Sequence, residues 1–184
     1  MTAMSTESAW DLYRGIDFPR GFRVEITDGK IIMTPQGEKQ WKVIFRAARQ
    51  IEDQLAGHGE FLSDVPVDFP SSLYGYAPDL AIVTPGAEHN SRGRYEWHDL
   101  DAVLEVVSPS SGDNDFVKKV KVYAECAIPL YVVIDPATAL CTVHSAPQST
   151  GAYDSIEQVP FGEDLVLPLD GRTITINTDG FPRD

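Results

Sequence analysis

The chain has 184 residues, of which 42% are hydrophobic and 23% are charged, and these proportions predict one globular domain over residues 1–184. The formal net charge of −13 argues against a broad basic surface for nucleic acid, although a local basic patch is compatible with it. No apolar run reaches the roughly 20 residues that a membrane helix needs. The first residues lack the basic and apolar segments of a signal peptide, so we expect a soluble, cytoplasmic protein.

The N-terminal part predicts a hairpin followed by a long helix, with a short helix before them at residues 7–14. In RVEITDGKIIM, two strand-like runs flank Asp28 and Gly29, a pair typical of hairpin turns. Residues 38–57 predict the clearest helix, because apolar residues recur there at helical spacing. These residues are Ile44, Ala47, Ala48, Ile51 and Leu55.

The rest of the chain predicts a sheet covered by helices. The segment FLSDVPVDFP predicts an edge or irregular strand because of its prolines. A strand from Ala102 to Val107 is nearly continuous in apolar residues, as expected where both faces are covered. The order of elements predicts an α/β fold with a mixed sheet flanked by helices and an N-terminal hairpin region. The remaining predicted elements are a strand in APDLAIVTP, a helix at 114–126, a strand in IPLYVVID, and peripheral strands at 139–146, 153–158 and 172–176.

Glu105 is the one charged residue within the apolar strand that precedes the 114–126 helix. A buried carboxylate is costly unless it is paired or binds a cation. Asp79 follows Pro78 at the start of another apolar strand, which places a second carboxylate at a comparable position. Two such carboxylates become tolerable if they share a divalent cation, and hard oxygen ligands suit Mg²⁺ or Mn²⁺.

The predicted 114–126 helix contains a further candidate site residue, Lys119. Asp115, Lys119 and Tyr123 are spaced i, i+4 and i+8 and therefore line one stripe of the helix. Val117, Val120 and Ala124 form a different stripe, which we expect to pack on the sheet. The Ser-, Pro- and Gly-containing turn after Glu105 could return the helix so that the Lys119 ammonium approaches the carboxylates, where it could orient water or stabilise charge on a phosphate.

These residues carry a resemblance to a known family. The ordered set of PD at 78–79, EVVSPSS at 105–111, D-x-x-x-K-x-x-x-Y at 115–123 and IPLYVVIDP at 128–136 resembles the PD-(D/E)XK restriction-endonuclease-like superfamily. Within that superfamily it is similar to the bacterial Uma-two family, whose opening hairpin resembles VEITDGKIIMTP at 24–35. The resemblance covers roughly residues 20–136 and implies the same fold.

The resemblance also implies a set of site residues. Asp79 and Glu105 match metal ligands, and the backbone carbonyl of Val106 is a further candidate ligand. The lysine usual in the superfamily falls at Val107 here, and in the resembled family a helical lysine, matching Lys119, replaces it. Glu25 matches an acidic residue of the opening hairpin. One departure is Lys39, close to where the family often carries a histidine, which leaves any substrate role of that helix start open.

Simpler interpretations exist for each of these residues. Asp79 could be a strand-start aspartate after proline, and Glu105 could be satisfied by a backbone or arginine partner. Lys119 could belong to a solvated helix face or form an ordinary i, i+4 pair with Asp115. Tyr123 is more typical of a packing aromatic with a wet tip. Trp41 and Trp97 could stack on bases, but core or surface packing is their preferred role.

We therefore expect a Mg²⁺- or Mn²⁺-dependent endonuclease that hydrolyses phosphodiester bonds, with DNA as its partner and no membrane association. Its catalytic residues would be Asp79, Glu105, Lys119 and Glu25. One rival is a catalytically silent binding module of the same fold, which the acidic net charge favours. Another is a hydrolase of small phosphate esters. A homodimer is compatible with the sequence, and cleavage of both strands would benefit from two-fold symmetry.

Overall fold

The fold is described from a computed structural model. The structure describes residues 22–35, 37–56, 59–71, 73–108 and 114–183. The helix expected at residues 7–14 lies outside this part of the chain, as do Ser110 and Ser111 of the turn after Glu105.

A six-stranded mixed sheet forms the centre of the fold. Its strand order is β3-β4-β5-β6-β7-β8, in which only β5 and β6 run parallel to one another. That parallel pair is joined by the helical segment between them, the usual connection for parallel neighbours. The strands are β3 (Glu60–Leu62), β4 (Leu80–Val83), β5 (Leu100–Val106), β6 (Leu130–Asp135), β7 (Leu140–Gln148) and β8 (Ala152–Pro160).

Two separate hairpins accompany the sheet. The first pairs β1 (Phe22–Thr27) with β2 (Lys30–Pro35), and its turn residues Asp28 and Gly29 both have positive φ angles, of 52° and 69°. Positive φ at both positions is the requirement of the tight turn that Asp-Gly favours. The second pairs β9 (Asp164–Leu169) with β10 (Arg172–Asn177). The sequence predicted the first hairpin and β10 but missed β9.

The long helix α1 (Glu38–Leu55) covers one face of the sheet. Its apolar stripe is buried against the sheet and the second hairpin, which confirms the predicted amphipathic pattern. Gln50 and Gln54 donate hydrogen bonds to the backbone carbonyls of Asn177 and Thr175, so the helix also satisfies polar groups of β10. The predicted mixed α/β sheet with flanking helices and an N-terminal hairpin is confirmed.

The alternation of side chains along β5 divides the core into two layers. Leu104 and Val106 belong to the apolar cluster beneath α1, whereas Val103 belongs to the cluster on the opposite face. Glu105 shares the face of Val103 and is completely buried. The strand therefore presents one carboxylate to the layer that does not contain α1.

The segment after β5 begins as a π-helix, Asn114–Lys119, and continues as the α-helix α2, Val120–Glu125. This confirms a helix at the predicted place. Ala124 and Val120 of the expected packing stripe pack on the layer of the Val103 face, but the prediction for Val117 is wrong. Val117 is 66% exposed, while Asp115 and Lys119 are buried. A π-turn holds more residues than an α-turn, so the i, i+3 step from Val117 to Val120 does not stay on one face. The i, i+4 and i+8 spacing of Asp115, Lys119 and Tyr123 does lead to three buried residues.

None of the helices in the described ranges is long and apolar enough to cross a membrane.

Because α1 packs on the sheet, a cavity created between them should destabilise the protein strongly. Ile51 is fully buried within the first apolar layer, so Ile51→Ala should lower the free energy of unfolding by about 2–5 kcal/mol. Urea denaturation measures this change. Glu52→Ala, at an exposed position of the same helix, should change the value by less than about 0.5 kcal/mol. Equal values for the two variants would contradict the packing described for α1.

Candidate functional site

Asp79 and Glu105 lie opposite each other on neighbouring antiparallel strands. Leu80 of β4 pairs with Leu104 of β5, so the same register continued by one residue opposes Asp79 to Glu105. Residues directly opposite in an antiparallel pair have side chains on the same face and close together. The strand register, rather than a loop, therefore brings these two carboxylates side by side.

Backbone amides hold both carboxylates in place. The Val106 amide donates to Asp79 Oδ2 at 2.7 Å, and the Asp79 amide points to Glu105 Oε2 at 3.4 Å. Asp79 is 1% exposed and Glu105 is 0% exposed, so neither is the surface residue that its simpler interpretation would require. Carboxylates buried to this degree need cationic or donor partners.

Lys119 is the central cation of the site. Its ammonium lies 2.8 Å from Glu105 Oε1, 3.0 Å from Glu25 Oε1 and 3.3 Å from Asp115 Oδ1. The side chain is 1% exposed, which excludes a solvated helix face. The return of the helix predicted from the turn after Glu105 thus brings the lysine to the carboxylates.

Tyrosines enclose this lysine and glutamate. The Lys119 ammonium lies 5.3 Å from the centre of the Tyr76 ring, a cation–π distance. The Tyr123 hydroxyl donates to Glu105 Oε1 at 3.3 Å, and the Tyr131 hydroxyl donates to the Asp115 carbonyl at 2.8 Å. Tyr123 is completely buried, so the expectation of a wet tip was wrong.

Arg23 is a second buried cation, and the sequence reasoning missed it. Its guanidinium bridges Asp79 Oδ1 and Glu105 Oε2, the latter at 3.2 Å, and its Nε donates to Asp64 Oδ1 at 3.2 Å. Arg23 and Glu25 stand two residues apart on β1 and so share one face of that strand. This spacing was the signal that could have identified Arg23, since Glu25 was already a candidate.

Gln40 was also missed, and no local signal distinguishes it. It lies in the first turn of α1, where its side-chain amide donates to the Val106 carbonyl at 3.0 Å and to Asp79 Oδ2 at 3.4 Å. Its neighbours in the sequence are charged or exposed, and only the docking of the helix start onto the end of β5 buries it. The helix start therefore contacts the site, through Gln40 rather than Lys39.

The charges of this cluster do not balance. Four buried carboxylates accompany two buried cations, which leaves a formal charge of −2 when all are ionised, the charge that one divalent cation neutralises. We call this group the Glu105 cluster. Its members are Arg23, Glu25, Asp79, Glu105, Asp115 and Lys119.

Burial and charge act in opposite directions on two members of the cluster. Burial raises the pKa of Glu25 above its ordinary value, and the favourable effect of Lys119 does not cancel that rise. Burial by itself lowers the pKa of Lys119, but Glu105, Glu25 and Asp115 outweigh it, and the net pKa is raised. Lys119 therefore remains protonated at neutral pH and cannot serve as a general base there.

The donor chemistry of the cluster fits a hard divalent cation, with one rearrangement. Asp79 Oδ1 and Glu105 Oε2 already converge on a single cationic group, the guanidinium of Arg23. One or two carboxylates plus waters suffice for Mg²⁺, and the Val106 carbonyl adjoins them through Gln40. Among the described residues, no group of three or more His, Cys, Asp or Glu side chains could hold a metal ion as they stand. An ion at Asp79 and Glu105 therefore requires Arg23 to move aside.

A cleft of about 190 Å³ connects the cluster to solvent on the side of Asp79 and Arg23. Glu105, Lys119 and Glu25 do not line it, so these three side chains are shielded from the cleft. Its walls come from the exposed start of α1 and from the segment that follows β3. The remaining lining residues are Trp41, Ile44, Phe45, Ala48, Ser63 and Asp64.

All four predicted catalytic residues meet in the Glu105 cluster, with the Val106 backbone beside them. Val107, where a lysine would be usual, is half-buried against the apolar layer on the Val103 face. The space that a lysine at that position would approach is occupied by Lys119, whose ammonium reaches Glu105 from the helix. This meeting is geometric, and it leaves the chemical roles of the residues as predictions.

Comparisons with known proteins agree with this architecture. The sequence model of the Uma2 family, described as "Putative restriction endonuclease", matches residues 10–178. A crystal structure of a "putative nuclease belonging to DUF820" from Anabaena variabilis superimposes with a TM-score of 0.66 and 16% identity, covering 89% of each chain. At that identity the likeness is one of fold. No curated protein shows a significant sequence match to the chain.

Loss of the Lys119 charge should destabilise the protein strongly. Lys119→Met leaves Glu25, Glu105 and Asp115 without their shared cation, and breaking a buried ion pair from one side costs about 3–5 kcal/mol. Urea denaturation at neutral pH measures the change in the free energy of unfolding.

Lys118→Met is the matched control for this experiment. Lys118 is the preceding residue of the same π-helix, but it is half-exposed and pairs with Asp28 at the surface. Its replacement should change the free energy of unfolding by no more than about 1 kcal/mol. If both variants lose the same amount, Lys119 does not neutralise the cluster in the way described.

Proposed function

Because this chain belongs to the Uma2 family, we propose that it is a metal-dependent endonuclease that hydrolyses phosphodiester bonds in DNA, using Mg²⁺ or Mn²⁺. The observation that carries the proposal is the convergence of Asp79 and Glu105 on the guanidinium of Arg23, which lines a cleft together with Asp79. Two buried carboxylates of neighbouring strands around a single cation are what metal-assisted phosphodiester hydrolysis requires of a protein.

The proposed roles of the cluster residues differ between those next to the cleft and those in the buried layer behind it. Asp79 and Glu105 hold the cation, and the carbonyl of Val106 is the further ligand. When bound, the divalent cation polarises the phosphate and lowers the pKa of water. Gln40, which donates to both Asp79 and the Val106 carbonyl, keeps these donors in register at the end of β5.

Lys119 acts as a positioning residue in this arrangement. Its ammonium contacts three carboxylates and is shielded from the cleft, so it fixes the orientation of Glu105. Glu25 contributes by anchoring the other side of Lys119. The electrostatic effect of Lys119 on a phosphate is transmitted through Glu105, because the lysine itself does not line the cleft.

A catalytically silent binding module of the same fold is the second candidate. The observation that favours it is Arg23, which already satisfies both carboxylates without a metal. The two candidates differ in one measurable property, the affinity of Asp79 and Glu105 for a divalent cation.

Removing either proposed ligand should abolish cleavage. Asp79→Asn and Glu105→Gln keep the side-chain size but remove the negative charge, so Mn²⁺-dependent cleavage of plasmid DNA should fall by at least about 10²-fold, and EDTA should stop the parent protein. Gel electrophoresis of plasmid, single-stranded DNA and RNA measures the activity, with mononucleotides assayed beside them for phosphate-ester hydrolysis.

Asp101→Asn controls for the loss of a buried carboxylate from β5. Asp101 lies on the same strand as Glu105 but accepts from Thr84 and pairs with Arg172, so the variant should cleave at the parental rate. Cleavage by folded Asp79→Asn and Glu105→Gln proteins at the rate of the parent would refute the assignment. Cleavage of mononucleotides alone would favour the hydrolase of small phosphate esters.

Replacing Arg23 should strengthen metal binding. Arg23→Gln removes the guanidinium that competes with an ion for Asp79 and Glu105, so calorimetry should show Mn²⁺ binding on the order of tenfold tighter than in the parent. The same variant should melt at a lower temperature in EDTA, because the carboxylates lose a cation, and should gain more in melting temperature on addition of Mn²⁺.

The control for Arg23 is Arg92→Gln, which breaks the ion pair between the exposed Arg92 and the buried Asp68, neither of which belongs to the cluster. It should bind Mn²⁺ like the parent. Equal or weaker binding by Arg23→Gln would mean that the arginine holds the donors in place rather than occupying the position of the ion. Absence of Mn²⁺ binding in both parent and variant would favour the silent binding module.

A further inference from the structure

The exposed start of α1 carries two aromatic side chains that nothing in the described fold covers. Trp41 is 53% exposed and Phe45 is 46% exposed, although large aromatic residues are normally buried. Their rings are stacked, with centroids 5.1 Å apart and planes inclined by 10°. Core packing therefore does not account for this pair, and the two rings pack on each other at the surface instead.

The aromatic pair lines the same cleft as Asp79 and Arg23. A group that lies against Trp41 and Phe45 therefore lies next to the carboxylate proposed to hold the metal. The cleft volume of about 190 Å³ is below the ~300–1,000 Å³ typical of pockets for drug-sized ligands. It is suited to one flat ring system rather than to an entire small-molecule substrate.

The helix segment that carries the pair is rich in basic residues, unlike the protein as a whole, and Glu38 at its start pairs with Lys42. Residues 39–49 contain four basic residues and no acidic one, within a chain of net charge −13. These four side chains are exposed, and the Arg49 guanidinium lies 5.8 Å from the centre of the Phe45 ring. The local basic patch compatible with the sequence thus lies on α1 beside the aromatic pair. Its members are Lys39, Lys42, Arg46 and Arg49.

We propose that Trp41 and Phe45 form a stacking subsite for an unpaired nucleobase of the substrate strand, next to the phosphodiester that a cation at Asp79 would bind. The basic side chains of α1 contact the phosphates on either side of that base. Aromatic stacking combined with a cationic track is the usual way to bind single-stranded nucleic acid. This inference rests on the proposed nuclease function and adds to it the requirement for an unpaired base.

The chemistry favours a nucleobase over other occupants. An apolar peptide would need a wider uncharged surface. This pair is instead bordered by the basic side chains of α1 and by the cleft residues Asp64 and Asp79. A base offers a π-face to the rings and a phosphate on each side to the cations. Because every base has such a face, the subsite should tolerate any sequence and should discriminate single-stranded from fully paired DNA.

Binding measured without turnover tests the subsite. The full chain is titrated in EDTA against a fluorescein-labelled thymidine oligonucleotide and against an abasic oligonucleotide of the same length, followed by fluorescence anisotropy. Trp41→Ala and Phe45→Ala should each weaken binding of the thymidine strand by about 5- to 100-fold and leave the abasic strand unchanged. Trp41→Phe, which keeps a ring, should recover most of the loss.

Two control variants separate stacking from charge and from general surface effects. Arg49→Ala should weaken binding of both oligonucleotides to the same extent, because a phosphate contact does not depend on the base. Ile156→Ala removes an exposed apolar side chain of β8 and should change neither affinity. Circular dichroism shows that each variant is folded, which is expected because the aromatic pair is half-exposed.

Several outcomes would overturn the subsite. Parental affinity of the alanine variants for the thymidine strand would do so, as would equal losses with the abasic strand. If the parent sediments as a dimer and the Trp41→Ala variant as a monomer, the pair is an interface between copies of the chain.

Failure of the subsite and failure of the nuclease proposal remain distinguishable. Stacking is measured in EDTA, so it can succeed even if Mn²⁺ produces no cleavage. Conversely, the parent can show plasmid cleavage that depends on Asp79 and Glu105 even if Trp41→Ala and Phe45→Ala bind the thymidine strand like the parent.

Discussion

The buried ionic contact between Glu105 and Lys119 is the constraint on which the site depends. A carboxylate with no exposure in the centre of a sheet is tolerable only with a cation in contact, and Lys119 lies 2.8 Å away. Because this lysine comes from the helix that joins β5 to β6, the contact ties the parallel strand pair, the π-helix and the first hairpin to one point. Asp115 and Glu25 complete the shell around the same ammonium.

The π-helix follows from this constraint. The segment must place Asp115 and Lys119 on the buried side while Val117 faces solvent, the reverse of what apolar patterning favours. A widened helical turn allows this, and such turns often occur at functional sites. The energy of the cluster therefore outweighs the local preference of valine for burial, which is consistent with a site under functional rather than packing control.

One side of the Glu105 cluster is shielded from solvent, and the other side adjoins the cleft. Lys119 and the tyrosine rings enclose its inner side, whereas Asp79 and Arg23 face the cleft. In the proposed function, a substrate approaches the strand-borne carboxylates from the side of α1, where the chain concentrates basic and aromatic residues. The same helix buries its apolar stripe on the sheet, so one element both stabilises the core and forms the entrance to the site.

The α/β class, the first hairpin, α1 and the candidates Asp79, Glu105 and Lys119 could be predicted from the sequence, because periodicity, turn chemistry and a charge inside an apolar strand are local signals. Glu25 became a candidate only through the family resemblance. Only the tertiary structure decided that Arg23 and Gln40 join them, since their contacts span 56 and 66 residues of sequence. It also decided the burial of the π-helix and the exposure of Trp41, which depend on how helices dock. Local patterns specify which residues are unusual, but contacts between distant segments specify what surrounds them.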